Sequence, residues 1–191
     1  MNASYKTLGV TILSGALLMT VASAQTTTTA EVFTATATVT TADGKSASAP
    51  MTITIDRTMP DGEAAALVAA FKSGGAAALR KALVGVKPTG TVQIGDGRPT
   101  PSRFAIARAT GDGRLLTVLT DQPLVFIGAT APGAKPKAGY DFAVIDIQVD
   151  GSGNGSGTVA PAAKLKLNDT AFVVEDYSGE VVRLTGVKKT G

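Results

Sequence analysis

The chain has 191 residues, with 18 basic and 15 acidic side chains, 44% hydrophobic residues, and no Cys, His or Trp. That is the composition of one folded, weakly charged protein rather than a disordered one. The missing residue types exclude a disulfide framework, a thiolate nucleophile, Cys-based zinc and iron–sulfur sites, and any chemistry that needs an imidazole.

The N-terminus has the pattern of a secretory signal peptide. Lys6 is the first charge, an apolar stretch runs from Leu8 to Ala22, and Ala22-Ser23-Ala24 is a small-x-small cleavage pattern ending before Gln25. The apolar stretch is interrupted by Gly9, Ser14 and Gly15 and is shorter than the roughly 20 residues that span a bilayer. The expectation is cleavage after Ala24, no membrane span thereafter, and a bacterial periplasmic or secreted location. Residues 25–30 form a Thr-rich leader expected to be flexible. Residues 31–191 form one domain. The net charge of +3 is too small to argue for a nucleic-acid or anionic-membrane partner.

Phe33, Ala35, Ala37 and Val39 alternate with threonines. After the turn residues Asp43-Gly44, Met51, Ile53 and Ile55 do the same. Period-two alternation predicts a β-hairpin with one apolar face. At Thr58 the pattern changes. Pro60, Asp61 and Glu63 suit a first helical turn, and an Ala-rich run carries Leu67 and Phe71 four apart. Gly74-Gly75 stops it, and a second run with Leu79 and Leu83 ends before Lys87-Pro88. The reading is a helical hairpin over 61–86, whose small alanine faces let it pack closely against a sheet.

Strands and turns follow. They are Thr91 to Gly95, Ser102 to Thr110 and Arg114 to Thr120 around the turn Gly111-Asp112-Gly113, and a short apolar run from Leu124 to Ile127 expected to be buried on both faces. A Pro- and Gly-rich loop spans Ala129 to Gly139. The longest apolar strand runs from Tyr140 to Val149, a Gly-rich turn covers Asp150 to Gly157, and Thr158 to Leu167, Ala171 to Asp176 and Glu180 to Val187 complete the chain. About nine or ten strands with short connections predict an α+β domain, mostly antiparallel β. Its strands form a curved sheet, a sandwich or a barrel-like closure, with one inserted helical hairpin. A pocket inside the sheet would be aliphatic and suit an apolar ligand.

Three features stand out as candidate sites. Arg108 shares a strand face with Phe104 and Ile106, and Asp146 shares one with Phe142 and Val144. Such charges on apolar faces pair inside a barrel, contact a ligand, or sit near an edge with their heads in water. Asp150, Ser152 and Asn154 place oxygens at alternate positions, as in the opening of an EF-hand-type calcium loop, but Pro161 holds the twelfth position where a bidentate carboxylate belongs. A Gly-rich hairpin turn accounts for the same residues. For paired-carboxylate hydrolysis, Asp141 and Asp146 differ by an odd number and face apart, which leaves a cross-strand pair such as Asp146 with Glu175. Arg98, Arg103, Arg108 and Arg114 form no coherent stripe, and aromatic platforms are few, so no nucleic-acid partner is expected. Lys135 and Lys137 would make at most a small anion site.

Lys87-Pro88-Thr89-Gly90, the strand from Tyr140 to Asp150 with its Gly-rich turn, and Val181-Val182-Arg183-Leu184 look familiar together. With the exported start and the helical hairpin, they resemble a group of uncharacterised secreted bacterial proteins of similar length. The resemblance covers most of the chain after the signal peptide and implies no activity, ligand or catalytic residue. The function expected is a non-enzymatic binding or envelope-structural module without a cofactor. Its partner would be a small apolar ligand or an envelope component. The alternative is a carboxylate-dependent hydrolase acting on envelope polymers.

Overall fold

Apolar residues alternating with threonine form β1 (Glu31–Thr40) and β2 (Ser46–Ile55), an antiparallel hairpin in register from Glu31 opposite Ile55 to Thr40 opposite Ser46. Phe33, Ala37, Val39, Met51, Ile53 and Ile55 are buried on its inner side. The structure is a computed structural model that describes residues 30–40, 44–125, 138–168, 171–177 and 181–191. The signal-peptide segment and almost all of the Thr-rich leader lie outside the described residues. So do most of the Pro- and Gly-rich loop, with Lys135 and Lys137.

After β2 the chain leaves the sheet as α1 (Asp61–Val84), in which Gly74 and Gly75 depart from helical geometry. Gly75 has φ 64° and ψ −152°, a backbone state open to glycine and costly for other residues, so the Gly-Gly pair breaks the helix as expected. The two ends of this insert meet. The Arg57 guanidinium donates to Glu63 and to the carbonyl of Lys87, both at 3.0 Å. The backbone N–H groups of Asp56 and Arg57 both donate to the Thr89 carbonyl. The helical segment is therefore a hairpin that departs from the sheet and returns to it at one point.

Six further strands follow the return to β3 (Gly90–Ile94): β4 (Thr100–Thr110), β5 (Gly113–Thr120), β6 (Phe142–Asp150), β7 (Asn154–Asn168), β8 (Ala171–Tyr177) and β9 (Val182–Lys189). Strands β1 to β7 pair successively, and β9 then inserts between β7 and β1. Eight strands thus close into an antiparallel barrel. The ninth, β8, pairs with the far half of β7 beyond the stretch that β9 occupies. Of the sandwich, curved-sheet and barrel alternatives, the closed barrel is the one formed.

The lumen is filled. Phe33, Met51, Ile53, Ile55, Leu116, Val118, Ile145, Ile147, Val159 and Leu184 are each no more than 1% exposed and belong to one cluster. The sequence says what would line a pocket inside the sheet if one were present; among the described residues, side chains from the surrounding strands fill that space instead. A second core lies outside the barrel. Met59, Leu67, Leu79 and Leu83 pack onto Phe104, Leu119, Phe142, Val144, Ala160, Ala163 and Leu165. Each fully buried leucine contributes about 1.5–3 kcal/mol. The first part of β6 is apolar on both faces, because Ala143 and Ile145 fill the lumen while Phe142 and Val144 pack with α1.

Two expectations change. Leu124 is buried, but Val125 is 70% exposed and neither lies in a strand. Both neighbouring barrel strands already have their partners, so Leu124 plugs the barrel end instead, its N–H bonded to the Pro161 carbonyl at 2.8 Å. Phe126 and Ile127 lie outside the described residues. The Gly-rich turn shrinks to Gly151–Gly153, and Asn154 to Gly157 belong to β7. A Cβ on Gly155 would stand 1.8 Å from the Gln148 carbonyl oxygen, and one on Gly157 2.3 Å from that of Asp146. These glycines serve close approach of β6 and β7, not flexibility.

One end of the barrel is tied by charge. The Glu31 carboxylate of β1 accepts hydrogen bonds from Arg114 of β5 at 2.6 Å and from Lys189 of β9 at 2.7 Å. The Arg114 guanidinium also stands 6.0 Å from the Phe33 ring centre. Burial pushes the Glu31 carboxyl up, but the two hydrogen bonds and the two cations outweigh it and hold the group below its ordinary value of 4.5.

Gly157→Ala is expected to destabilise the fold by about 2–4 kcal/mol. Gly151→Ala, where a Cβ meets nothing within 4 Å, should stay within about 0.5 kcal/mol. Denaturant midpoints of the two variants check this. Glu31→Gln should cost about 1–2 kcal/mol at neutral pH. Because the folded carboxyl is depressed, its stabilisation is present above the unfolded value and fades as pH falls through the folded one. The gap between wild type and Glu31→Gln should therefore close in acid, below pH 4.5.

Candidate functional site

The residues singled out from the sequence do not converge. Strand register sets Ile106, Thr117, Asp146 and Thr158 in one row across β4, β5, β6 and β7. Ala105 and Ile145 face the lumen, so Ile106, Arg108 and Asp146 face outward. Of the three alternatives for Arg108 and Asp146, the pair inside a barrel is the one not formed: the two residues lie on the outer surface, and no ion pair joins them. Asp146 accepts a hydrogen bond from the Thr117 hydroxyl at 2.6 Å. It borders a shallow depression with Leu115, Gln148, Thr158 and Arg183, whereas Arg108 lines a different groove.

The acids that paired-carboxylate hydrolysis would need are dispersed. Asp141 meets Arg80 at 3.6 Å, Asp121 meets Arg103 at 3.5 Å, and Glu175 meets Lys164 at 2.9 Å. The Tyr140 hydroxyl donates to Asp176. Asp146 stands opposite Thr158, while Glu175 lies beside Lys164, six residues further along β7. At the rise of a β-strand that is about 20 Å, so these two carboxyls form no pair. Glu175 also acts on its neighbour, since its hydrogen bond and charge raise the Lys164 ammonium above the ordinary lysine value.

The Asp150 carboxylate serves its own turn. One oxygen accepts the backbone N–H groups of Ser152 and Asn154 at 2.8 and 3.0 Å, the side-chain-to-backbone closure that favours Asp at such positions. Asp150, Ser152 and Asn154 are all exposed. Among the described residues, no three acidic side chains gather at this turn or elsewhere.

What the fold does assemble is an apolar groove of about 450 Å³ on the outside of the barrel. The first half of α1 supplies one wall through Ala64, Ala65, Val68 and Ala69. Phe104 and Ile106 of β4 make the floor, and Phe172 at the start of β8 closes the far side. Phe172 is held edge-on between Phe71 at 5.7 Å and Phe104 at 5.6 Å between ring centres, a favourable aromatic geometry. Asp61, Lys72, Arg108 and Thr117 supply the polar margin. The groove owes its width to alanine. The alanine-rich helix was expected to pack closely against the sheet, yet Ala65 and Ala69 remain exposed because α1 rests on the barrel through Leu67 and lifts its alanine flank clear. Of the residues that line this groove, sequence reading singled out Arg108 as a candidate but not Val68, Phe172 or Lys72. The one available signal was the run of small residues on one flank of a helix that is otherwise anchored.

Asp150→Ala should cost about 1 kcal/mol by leaving two turn N–H groups without their acceptor. Calcium, even at several millimolar, should leave the thermal midpoint of the wild type unchanged, because a ligand bound only by the folded state would raise it. Comparison with known proteins finds no matching family model, no matching curated protein and no matching solved structure, so the functional reading rests on this groove and its margin.

Proposed function

We propose that the protein is an exported, non-enzymatic binding module that holds an apolar ligand in the groove between α1 and the outer face of β4. The observation that carries this reading is a contrast. Side chains fill the lumen, while Val68, Phe104, Ile106 and Phe172 converge on open space outside it. The volume lies within the roughly 300–1,000 Å³ of small-molecule sites, and an apolar lining with a few polar groups at its margin is their usual composition. Rigid elements form its walls. The edge-to-face contacts of Phe172 with Phe71 and Phe104 brace one side, and the tie between Arg57, Glu63 and Lys87 fixes the root of the helical hairpin.

Export is part of the proposal on the strength of Lys6, the apolar stretch after it and the Ala22-Ser23-Ala24 cleavage pattern. No helix among the described residues is long and apolar enough to cross a membrane. The dispersed carboxylates favour binding over hydrolysis, since each of those described above already has a partner of its own.

The test uses the uncharged fluorescent probe N-phenyl-1-naphthylamine, against a low background because the chain has no Trp. The protein, purified as its own cell processes it, should bind the probe saturably at one site. Ala65→Leu and Ala69→Leu fill the groove with helix-compatible side chains. Each should weaken binding at least tenfold, equivalent to about 1.4 kcal/mol, with little change in thermal midpoint. Binding that is absent, or that both variants leave intact, would overturn the proposal.

A further inference from the structure

The margin of the groove carries an imbalance of charge. Lys72 stands on the helix wall and Arg108 on the strand side. Neither forms an ion pair or hydrogen bond with another described residue. Four arginines elsewhere are committed, Arg57 to Glu63, Arg80 to Asp141, Arg103 to Asp121 and Arg114 to Glu31. The one acid of the groove, Asp61, lies in the first turn of α1, where the helix dipole already favours a negative charge. Two uncommitted cations therefore border an apolar floor.

From this complementarity, and resting on the groove being the ligand seat, we infer that the ligand is a single-chain anionic amphiphile. Its chain lies on Phe104, Ile106, Val68 and Phe172, and its carboxylate or phosphate head meets Arg108, with Lys72 as the second cation. The physical reason is desolvation. A neutral ligand covering the groove strips water from the Arg108 guanidinium and returns nothing, whereas an anionic head replaces that water with charge-assisted hydrogen bonds. The planar, forked guanidinium suits an oxyanion better than a point charge does.

The experiment compares dodecanoate with 1-dodecanol, matched in chain length, each below its aggregation limit. The readout is displacement of N-phenyl-1-naphthylamine from the protein at low salt. Dodecanoate should displace the probe at a concentration at least tenfold lower than dodecanol. That ratio should collapse toward one in Arg108→Gln, fall by less in Lys72→Gln, and recover in part in Arg108→Lys. Arg98→Gln, at a turn away from the groove, should keep it. Equal displacement by the two compounds in the wild type overturns the anionic inference and leaves the groove reading standing. Displacement by neither overturns the groove reading itself. A ratio that survives Arg108→Gln removes the assignment of the head to Arg108. Cosedimentation with phosphatidylglycerol vesicles that free dodecanoate does not compete away makes a membrane surface the partner and overturns the soluble amphiphile.

Discussion

Insertion of β9 between β7 and β1 is the constraint on which the rest of the structure depends. Strands β1 to β7 form a meander in which each pairs with the next, and such a sheet has two open edges. β9 bonds to both, through Val159–Val182 on one side and Ala37–Leu184 on the other. Closure creates a lumen, and the inward residues Val182, Leu184 and Val187 help to fill it. The same strand brings Lys189 to Glu31, where Arg114 also arrives. Three distant parts of the chain are tied at one carboxylate. Contacts of such long sequence separation form at a high entropic cost, so the seam gains from carrying both apolar burial and a charge cluster.

A closed and filled barrel can display chemistry only at its ends and on its outer face. Much of that face is threonine, serine and charge, but part of it is apolar as well, where Phe104 of β4, Leu119 of β5, Phe142 and Val144 of β6 and Ala160 of β7 lie together. The helical hairpin inserted between β2 and β3 covers this second apolar surface with Leu67, Leu79 and Leu83. It does not cover all of it. A helix anchored by leucine on one flank and carrying alanine on the next leaves a channel beside it, and the β7–β8 hairpin brings Phe172 to its far side. Stability and binding are thus served by adjacent parts of one apolar surface.

Much of this fold is legible in residue order. The alternation from Phe33 to Val39 and from Met51 to Ile55 marks the first hairpin with the correct inward face. Gly111-Asp112-Gly113 marks the β4–β5 turn, and Gly74-Gly75 marks the break in the helix. Glycine in the β6–β7 hairpin misleads, because residues 155 and 157 are small for the sake of backbone approach, and composition cannot distinguish that from a loop. Leu124 misleads for a related reason, since a short apolar run reads as a strand whether or not an edge is free to pair with it. Arg108 and Asp146 were assigned correctly to their strand faces. Which face would be the lumen was not legible, because β4 and β6 each carry apolar residues on both, Phe104 and Ile106 opposite Ala105, and Phe142 and Val144 opposite Ala143 and Ile145. The groove was least legible of all. It is made by three elements far apart in sequence, and its helical wall is alanine, which signals helix without signalling a site.

The account stands on the lumen being solid and the open apolar surface lying outside it. Methyl NMR of the protein titrated with N-phenyl-1-naphthylamine tests this most directly. The account predicts shifts and probe contacts at the methyl groups of Val68 and Ile106, with Val118, Ile145 and Val159 undisturbed. Probe contacts at Val118, Ile145 and Val159, with Val68 and Ile106 unchanged, would mean that the barrel opens to take its ligand inside, and would contradict it.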